Sequence, residues 1–220
     1  MTSVSTKRIQ NVTAVILAGG PSSRMKSNKA LLPYRGGRFI DAIYRLLRSI
    51  FTDVIVVTNN PEQYDFLPCN KVPDIYKGMG VLAGIHSGLY HSSNPAIFAV
   101  ACDMPYLKEG LIRYMASRAD ACGVLIPESP GGLEPLHAFY GKECLAAMEA
   151  ALLNGQKRIV SFFDSAAVST VHAEQIAYFD PAFASFININ TPDDYYGMRN
   201  REQHSRTNTA IEEFSIKAAL

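Results

Sequence analysis

Residues 12–20 read VTAVILAGG: an apolar run broken only by Thr13, then two glycines. A strand that is apolar at successive positions has both faces buried, as in a parallel sheet held between layers of helices. The glycine pair lets the backbone turn sharply and approach a ligand closely, and the polar loop that follows carries Arg24, Lys26 and Lys29. Working outward, residues 38–51 (RFIDAIYRLLRSIF) place Ile40, Ile43, Leu46, Leu47 and Ile50 on one helical face. DVIVVTNN (53–60) reads as a second apolar strand, VLAGIHSGLYHSS (81–93) as a helix despite its glycines, and AIFAVACDMP (96–105) as a third strand. Strands alternating with helices define the expected fold: an α/β protein, a three-layer α/β/α sandwich with a mainly parallel, Rossmann-like sheet.

The second half is less regular. CGVLIPES (122–129) and PLHAFYG (135–141) read as strands, ECLAAMEAALLNG (143–155) as a helix stopped by glycine, and RIVSFFDS (158–165) as a shorter helix. AAVSTVHA (166–173) and ASFININT (184–191) read as strands, and TPDDYYGMRNRE (191–202) as a helix with Thr191 at the N-cap and Pro192 in the first position. The expected division is one domain over residues 1–202 and a polar tail over 203–220, whose end TAIEEFSIKAAL reads as a short amphipathic helix.

A formal charge of +1 with nearly half the residues hydrophobic argues against disorder and against a polyanion-binding surface, so nucleic acid is not an expected partner. Cys69, Cys102, Cys122 and Cys144 show no metal-ligand spacing and read as the reduced thiols of a cytoplasmic protein. The run after Lys7 and Arg8 is too short for a signal peptide, and no apolar stretch reaches the length of a membrane span. His86, His91, His172 and His204 read as structural or solvated side chains.

Ligands of open α/β sheets bind at the carboxyl ends of the strands. That rule gathers the glycine loop, Asn59 and Asn60, Asp74 and Asp103 on one rim. The loop fails the Walker A pattern, because Gly20 is followed five residues on by Met25. Its backbone NH groups and the cations Arg24 and Lys29 nevertheless suit a triphosphate. Asp103, ending FAVACDMP, suits Mg²⁺, which takes one or two carboxylates and completes its shell with substrate phosphates. Asp103 as a cap before Pro105 and Asp74 as a turn former in VPDIY are the ordinary structural alternatives. A cationic loop facing a metal carboxylate describes nucleotidyl transfer.

LAGGPSSRMKSNKALLP (17–33) resembles the L-A-G-G-x-S-x-R-M-G-x-D-K signature of the molybdenum cofactor guanylyltransferases, members of the glycosyltransferase-A-like nucleotidyltransferases, which share the nucleotide-diphospho-sugar transferase type of fold. Further likenesses follow in family order: GMGVLAGIHSGL (78–89), ACDMPYL (101–107), EPLHAFY (134–140) and NINTPDDY (188–195). The resemblance implies that Leu17, Ala18, Gly19 and Gly20 form the nucleotide loop, that Lys29 contacts phosphate with Arg24 beside it, and that Asp103 binds Mg²⁺. It implies guanine- and ribose-side contacts from Asn59 and Asp74, with the register of TNNPEQY leaving Asn60 open. It also implies a molybdopterin side made by Asn188 and Asn190, with His137 nearby.

The implied substrates are GTP and molybdopterin, or molybdenum cofactor, with cofactor-synthesis proteins and apo-molybdoenzymes as partners. Gly19 stands where the related CMP-transferring enzymes resemble L-A-A-G, which favours GTP. Lys26 and Asn28 depart from the usual glycine and aspartate, and Asn28 removes a charge that would hold Arg24 or Lys29 in place. The alternatives are a cytidylyltransferase or another nucleotidyltransferase acting on molybdopterin or on a sugar or polyol phosphate, and a non-catalytic GTP-binding protein that delivers cofactor.

Overall fold

The computed structural model describes residues 7–19, 28–119 and 123–201. Gly20, Arg24, Lys26, Cys122 and the tail from residue 203, with its expected helix, lie outside the described residues. The chain runs through β1 (Ile9–Leu17), β2 (Pro33–Tyr34), β3 (Gly37–Arg38), α1 (Phe39–Ile50), β4 (Phe51–Val57), β5 (Asn70–Val72), α2 (Gly80–His91), β6 (Ala96–Ala101) and α3 (Glu109–Ala116). It continues through β7 (Val124–Ser129), β8 (Gly132–Leu133), β9 (His137–Gly141), α4 (Leu145–Leu153), β10 (Val168–Val171) and α5 (Ala173–Ala177). A helix over residues 192–201 ends the described chain.

The main sheet has the order β10-β7-β9-β6-β1-β4-β5, with β8 added to β7. β1 lies between β6 and β4 and pairs with both in parallel; β4/β5 and β7/β10 are parallel too. Only β9 in the main run is reversed, antiparallel to both β6 and β7, so the sheet is mainly parallel, as the apolar strands imply.

Alternate residues of β1 serve two cores. Val12, Ala14 and Ile16 pack with Ile40, Ile43 and Leu47 of α1 and with Leu111, Ile112 and Met115 of α3. Val15 packs on the other side with Leu82, Ile85 and Leu89 of α2 and Met148 of α4. That division is the three-layer sandwich, and each large side chain so buried contributes roughly 1.5–3 kcal/mol. The glycines of α2 have a packing reason. A Cβ on Gly88 would lie 2.6 Å from Val15 Cγ1, and one on Gly84 would lie 3.2 Å from Leu17 Cδ2. The helix gives up about 1 kcal/mol of propensity at each glycine to lie directly on β1.

Two expectations are corrected. ASFININT forms no strand: a 3-10 turn over Ala184–Phe186 is followed by irregular chain. Asp180 fixes this shape, its carboxylate accepting from the Ser185 amide at 2.7 Å. RIVSFFDS is likewise a 3-10 helix, Ile159–Ser165. Cys69, Cys102 and Cys144 are free thiols. No helix among the described residues is long and apolar enough to cross a membrane.

Candidate active site

The site is built where β1, β4 and β6 end side by side. The Ala18 amide donates to the Val57 carbonyl at 2.9 Å, and the Cys102 amide to the Leu17 carbonyl at 3.2 Å, so the ladder carries three chain ends to one edge in register. Just past it, Gly19 sits within reach of the β4 and β5 ends. A Cβ there would lie 3.8 Å from Asp74 Oδ2 and 3.9 Å from Asn59 Nδ2, ordinary contact distances.

Asn59 and Asp74 form a reciprocal pair. Asn59 Nδ2 donates to Asp74 Oδ2 at 2.8 Å, and the Asp74 backbone amide donates to Asn59 Oδ1 at 3.1 Å. Asn59, not Asn60, therefore makes the pair; Asn60 precedes the 3-10 turn Pro61–Tyr64 and its amide donates to Thr58 Oγ1. The structure thus brings Leu17, Ala18, Gly19, Asn59 and Asp74 together.

At the β6 end, Lys29 Nζ lies 3.4 Å from Asp103 Oδ2 and donates to Asn190 Oδ1 at 2.6 Å. Lys29 and Asp103 side chains are each 16% exposed, low enough to favour their pairing and still open to a ligand. Lys29 begins the 3-10 turn Lys29–Leu31, whose N-cap is Asn28. The Ile189 amide donates to the Asp103 carbonyl at 3.0 Å, fastening the late segment to β6. Asn190 is held by the next helix start: Asp194 Oδ2 accepts from the amides of Asn190 and Thr191, while Thr191 Oγ1 accepts from the Asp194 amide. The Thr191 side-chain hydrogen bond first, and then the Asn190 and Thr191 backbone amides, hold the Asp194 carboxyl below its ordinary pKa. Asn188 donates to the Phe186 carbonyl at 3.3 Å. Asp103 Oδ1, by contrast, is buried and has no hydrogen-bond partner.

His137 is a correction. Its ring is fully buried, edge-on to Phe98 and Phe186, and neither nitrogen has a hydrogen-bond partner. β9 pairs His137 with Val100, within the sheet, so its side chain belongs to the floor beneath the 186–190 segment and does not reach the open rim. Burial lowers its pKa to about 4, which keeps it neutral. Cys102, beside Asp103, is pushed up to about 12 by burial and supplies no thiolate.

Sequence reasoning missed Tyr64, whose buried hydroxyl reaches the Ala18 carbonyl, because a tyrosine in a turn carries no pattern. The spacing of Thr191 and Asp194 is that of a capping box, a signal the sequence does carry.

A mainly parallel sheet with Gly19, a lysine and an unsatisfied carboxylate oxygen on its carboxyl rim has its polar groups where open α/β sheets bind their ligands. Comparison with known proteins makes this particular. The MobA-like NTP transferase domain model matches residues 14–171. A probable molybdenum cofactor guanylyltransferase of Clostridium perfringens is 34% identical over 196 residues, covering 87% of this chain and 98% of the relative. A molybdenum cofactor guanylyltransferase of Desulfosudis oleivorans is 35% identical over 187 residues, covering 83% and 92%. The crystal structure of molybdopterin-guanine dinucleotide biosynthesis protein A from Archaeoglobus fulgidus matches with a TM-score of 0.76 at 27% identity, over 89% of this chain and 100% of that one. The chain belongs to the MobA-like NTP transferase family, in which it groups with the molybdenum cofactor guanylyltransferases.

Proposed function

We propose that this protein transfers GMP from GTP to molybdopterin, forming molybdopterin guanine dinucleotide and releasing pyrophosphate in the cytoplasm. The observation that carries the reading is the Asp103–Lys29–Asn190 cluster, unsatisfied at Asp103 Oδ1, on the rim of a chain whose relatives are named for that transfer.

A terminal phosphate oxygen of molybdopterin attacks the α-phosphorus of GTP. One P–O bond forms there, and the bond from the α-phosphorus to the bridging oxygen of the β-phosphate breaks, with the electron pair leaving on pyrophosphate. The attacking phosphate is ionised near neutral pH, so the reaction calls for no general base. Gly19 lets the triphosphate approach the end of β1 without a side chain in the way. Asn59 and Asp74 present a preset polar edge to the guanosine. The Lys29 ammonium, held by Asp103 and Asn190 in the free protein, is placed to neutralise charge on the phosphates as pyrophosphate departs, with Arg24 assigned to the same work from the sequence. Asn188 and Asn190 lie on the acceptor side.

The residues also fit Mg²⁺. An orphaned carboxylate oxygen on Asp103 is the hard donor that ion prefers, and among the described residues there is no cluster of three or more ligand side chains that would instead suit an all-protein metal cage. Bound there, Mg²⁺ would supply Lewis-acid stabilisation of the phosphates.

The test is anaerobic product formation with Mg²⁺ and molybdopterin, offering GTP and CTP in parallel and measuring pyrophosphate and dinucleotide. A strong GTP preference is expected. Preference for CTP, or product only with a sugar or polyol phosphate as acceptor, overturns the reading; tight GTP binding without turnover would make the protein a carrier.

A further inference from the structure

The Tyr64 hydroxyl donates to the Ala18 carbonyl at 3.2 Å and accepts from Asn28 Nδ2 at 2.8 Å. The other proton of that amide goes to Gln63 Oε1 at 2.7 Å, while Asn28 Oδ1 accepts from the Ala30 amide at 3.1 Å. The Ala30 contact fixes which end of the Asn28 amide is oxygen, so the direction of the relay is set: Asn28 to Tyr64 to Ala18. Tyr64 is fully buried, and burial, its largest influence, raises its pKa and keeps the hydroxyl protonated. A tyrosine has one proton to give, and a carbonyl can only accept. With the proton committed to Ala18, residue 28 must be a donor. The aspartate that the family signature has at this position would compete for the same proton.

We propose that Tyr64 and Asn28 are positioning residues that lock the glycine loop to the turn bearing Lys29, and that asparagine at 28 gives the lock its direction. The proposal deepens the guanylyl-transfer reading and rests on it for its catalytic consequence. It ties the two flanks of the triphosphate site, Ala18–Gly19 and Lys29, through one buried hydroxyl, so that a ligand meets both in fixed relation. The exposed Gln63 can turn its amide to suit an aspartate; buried Tyr64 has no such freedom.

The experiment compares Asn28→Asp, Tyr64→Phe and the double variant by amide hydrogen exchange of the free protein and by kcat and KM for GTP. Each single variant is expected to speed exchange at the Ala18 amide and to lower kcat about tenfold, the scale of one hydrogen bond. The double variant is expected to lose no more than either single one, since both break the same relay. Asn28→Asp keeps the cap on Ala30, aspartate and asparagine being equal there. Exchange at Leu31 and Leu32 should therefore stay unchanged in that variant, which a general loosening of structure would not allow. Unchanged Ala18 exchange in Asn28→Asp, or kcat losses that multiply to about a hundredfold in the double variant, would overturn the relay. Absence of product from the unmodified protein would overturn the transfer reading instead, and the exchange rates would still decide the relay.

Discussion

The two ends of the rim use their polar groups in opposite ways. At the β4–β5 end, Asn59 and Asp74 bond each other twice and form a closed pair. At the β6 end, Asp103 shares one oxygen with Lys29 and leaves the other buried without a partner, while Lys29 reaches across to Asn190. A closed pair is a rigid surface, complete before any ligand arrives. An open cluster is energetically incomplete, because a buried, unpaired carboxylate oxygen costs free energy that a cation or donor recovers. On the proposed reading, the closed end serves shape recognition and the open end charge chemistry.

The sharpest way to break the comparison is Asp103→Ala. On the proposed reading it lowers product formation by about 10³-fold, the scale of losing a preorganised charge-stabilising group. Its melting temperature should not fall, since the variant also removes the orphaned oxygen. Retention of full activity would show that the open end is not the chemical one. Lys29→Ala should follow, with kcat reduced roughly 10²-fold and KM for GTP changed far less, because the ammonium acts on charge that grows during the reaction. A loss confined to KM would move Lys29 to simple binding.

Substitutions at the closed end should be milder and of another kind. Asn59→Ala is expected to raise KM for GTP by about tenfold, the worth of one or two hydrogen bonds, with kcat nearly kept. Asp74→Asn should do the same, and the double variant little more, because the pair acts as a unit. Steady-state kinetics with GTP as the varied substrate checks this. A fall in kcat as large as that of Lys29→Ala would erase the difference between the two ends.

Much of this was legible in the sequence because the signals are local. Apolar runs such as Val12–Leu17 reveal strands buried on both faces, and strand ends locate a rim, so the placement of Gly19, Asp74 and Asp103 on that rim is legible in the sequence. The antiparallel placement of β9 was not legible, since PLHAFYG reads the same in either direction. ASFININT misled for a related reason: its alternation mimics a strand, but Asp180 captures the Ser185 amide and turns the chain. Asn28 was read as a missing charge, whereas its amide supplies a donor that only the fold brings to Tyr64.

His137 was misplaced because a histidine beside a motif looks alike whether it faces the rim or the core, and its burial supplies the prediction with the least effect on turnover. The ring is neutral in the folded protein, with its pKa lowered to about 4, whereas in the unfolded chain it takes a proton near the ordinary value of 6.5. Between those two values the unfolded state binds more protons, so stability falls as the pH is lowered through that window. The loss reaches about 3 kcal/mol by pH 4. Above pH 6.5 both states are neutral and the contribution is flat. His137→Leu should therefore flatten the acid limb of stability between pH 6.5 and 4 in urea titrations, while leaving kcat at pH 7.5 within about twofold, since no reacting group touches the ring. An acid limb that persists unchanged would mean that the ring is already charged or already partnered in the folded state. A large loss of kcat at neutral pH would mean that the floor beneath Phe186 positions Asn188 and Asn190, and would extend the open end of the rim one layer into the core.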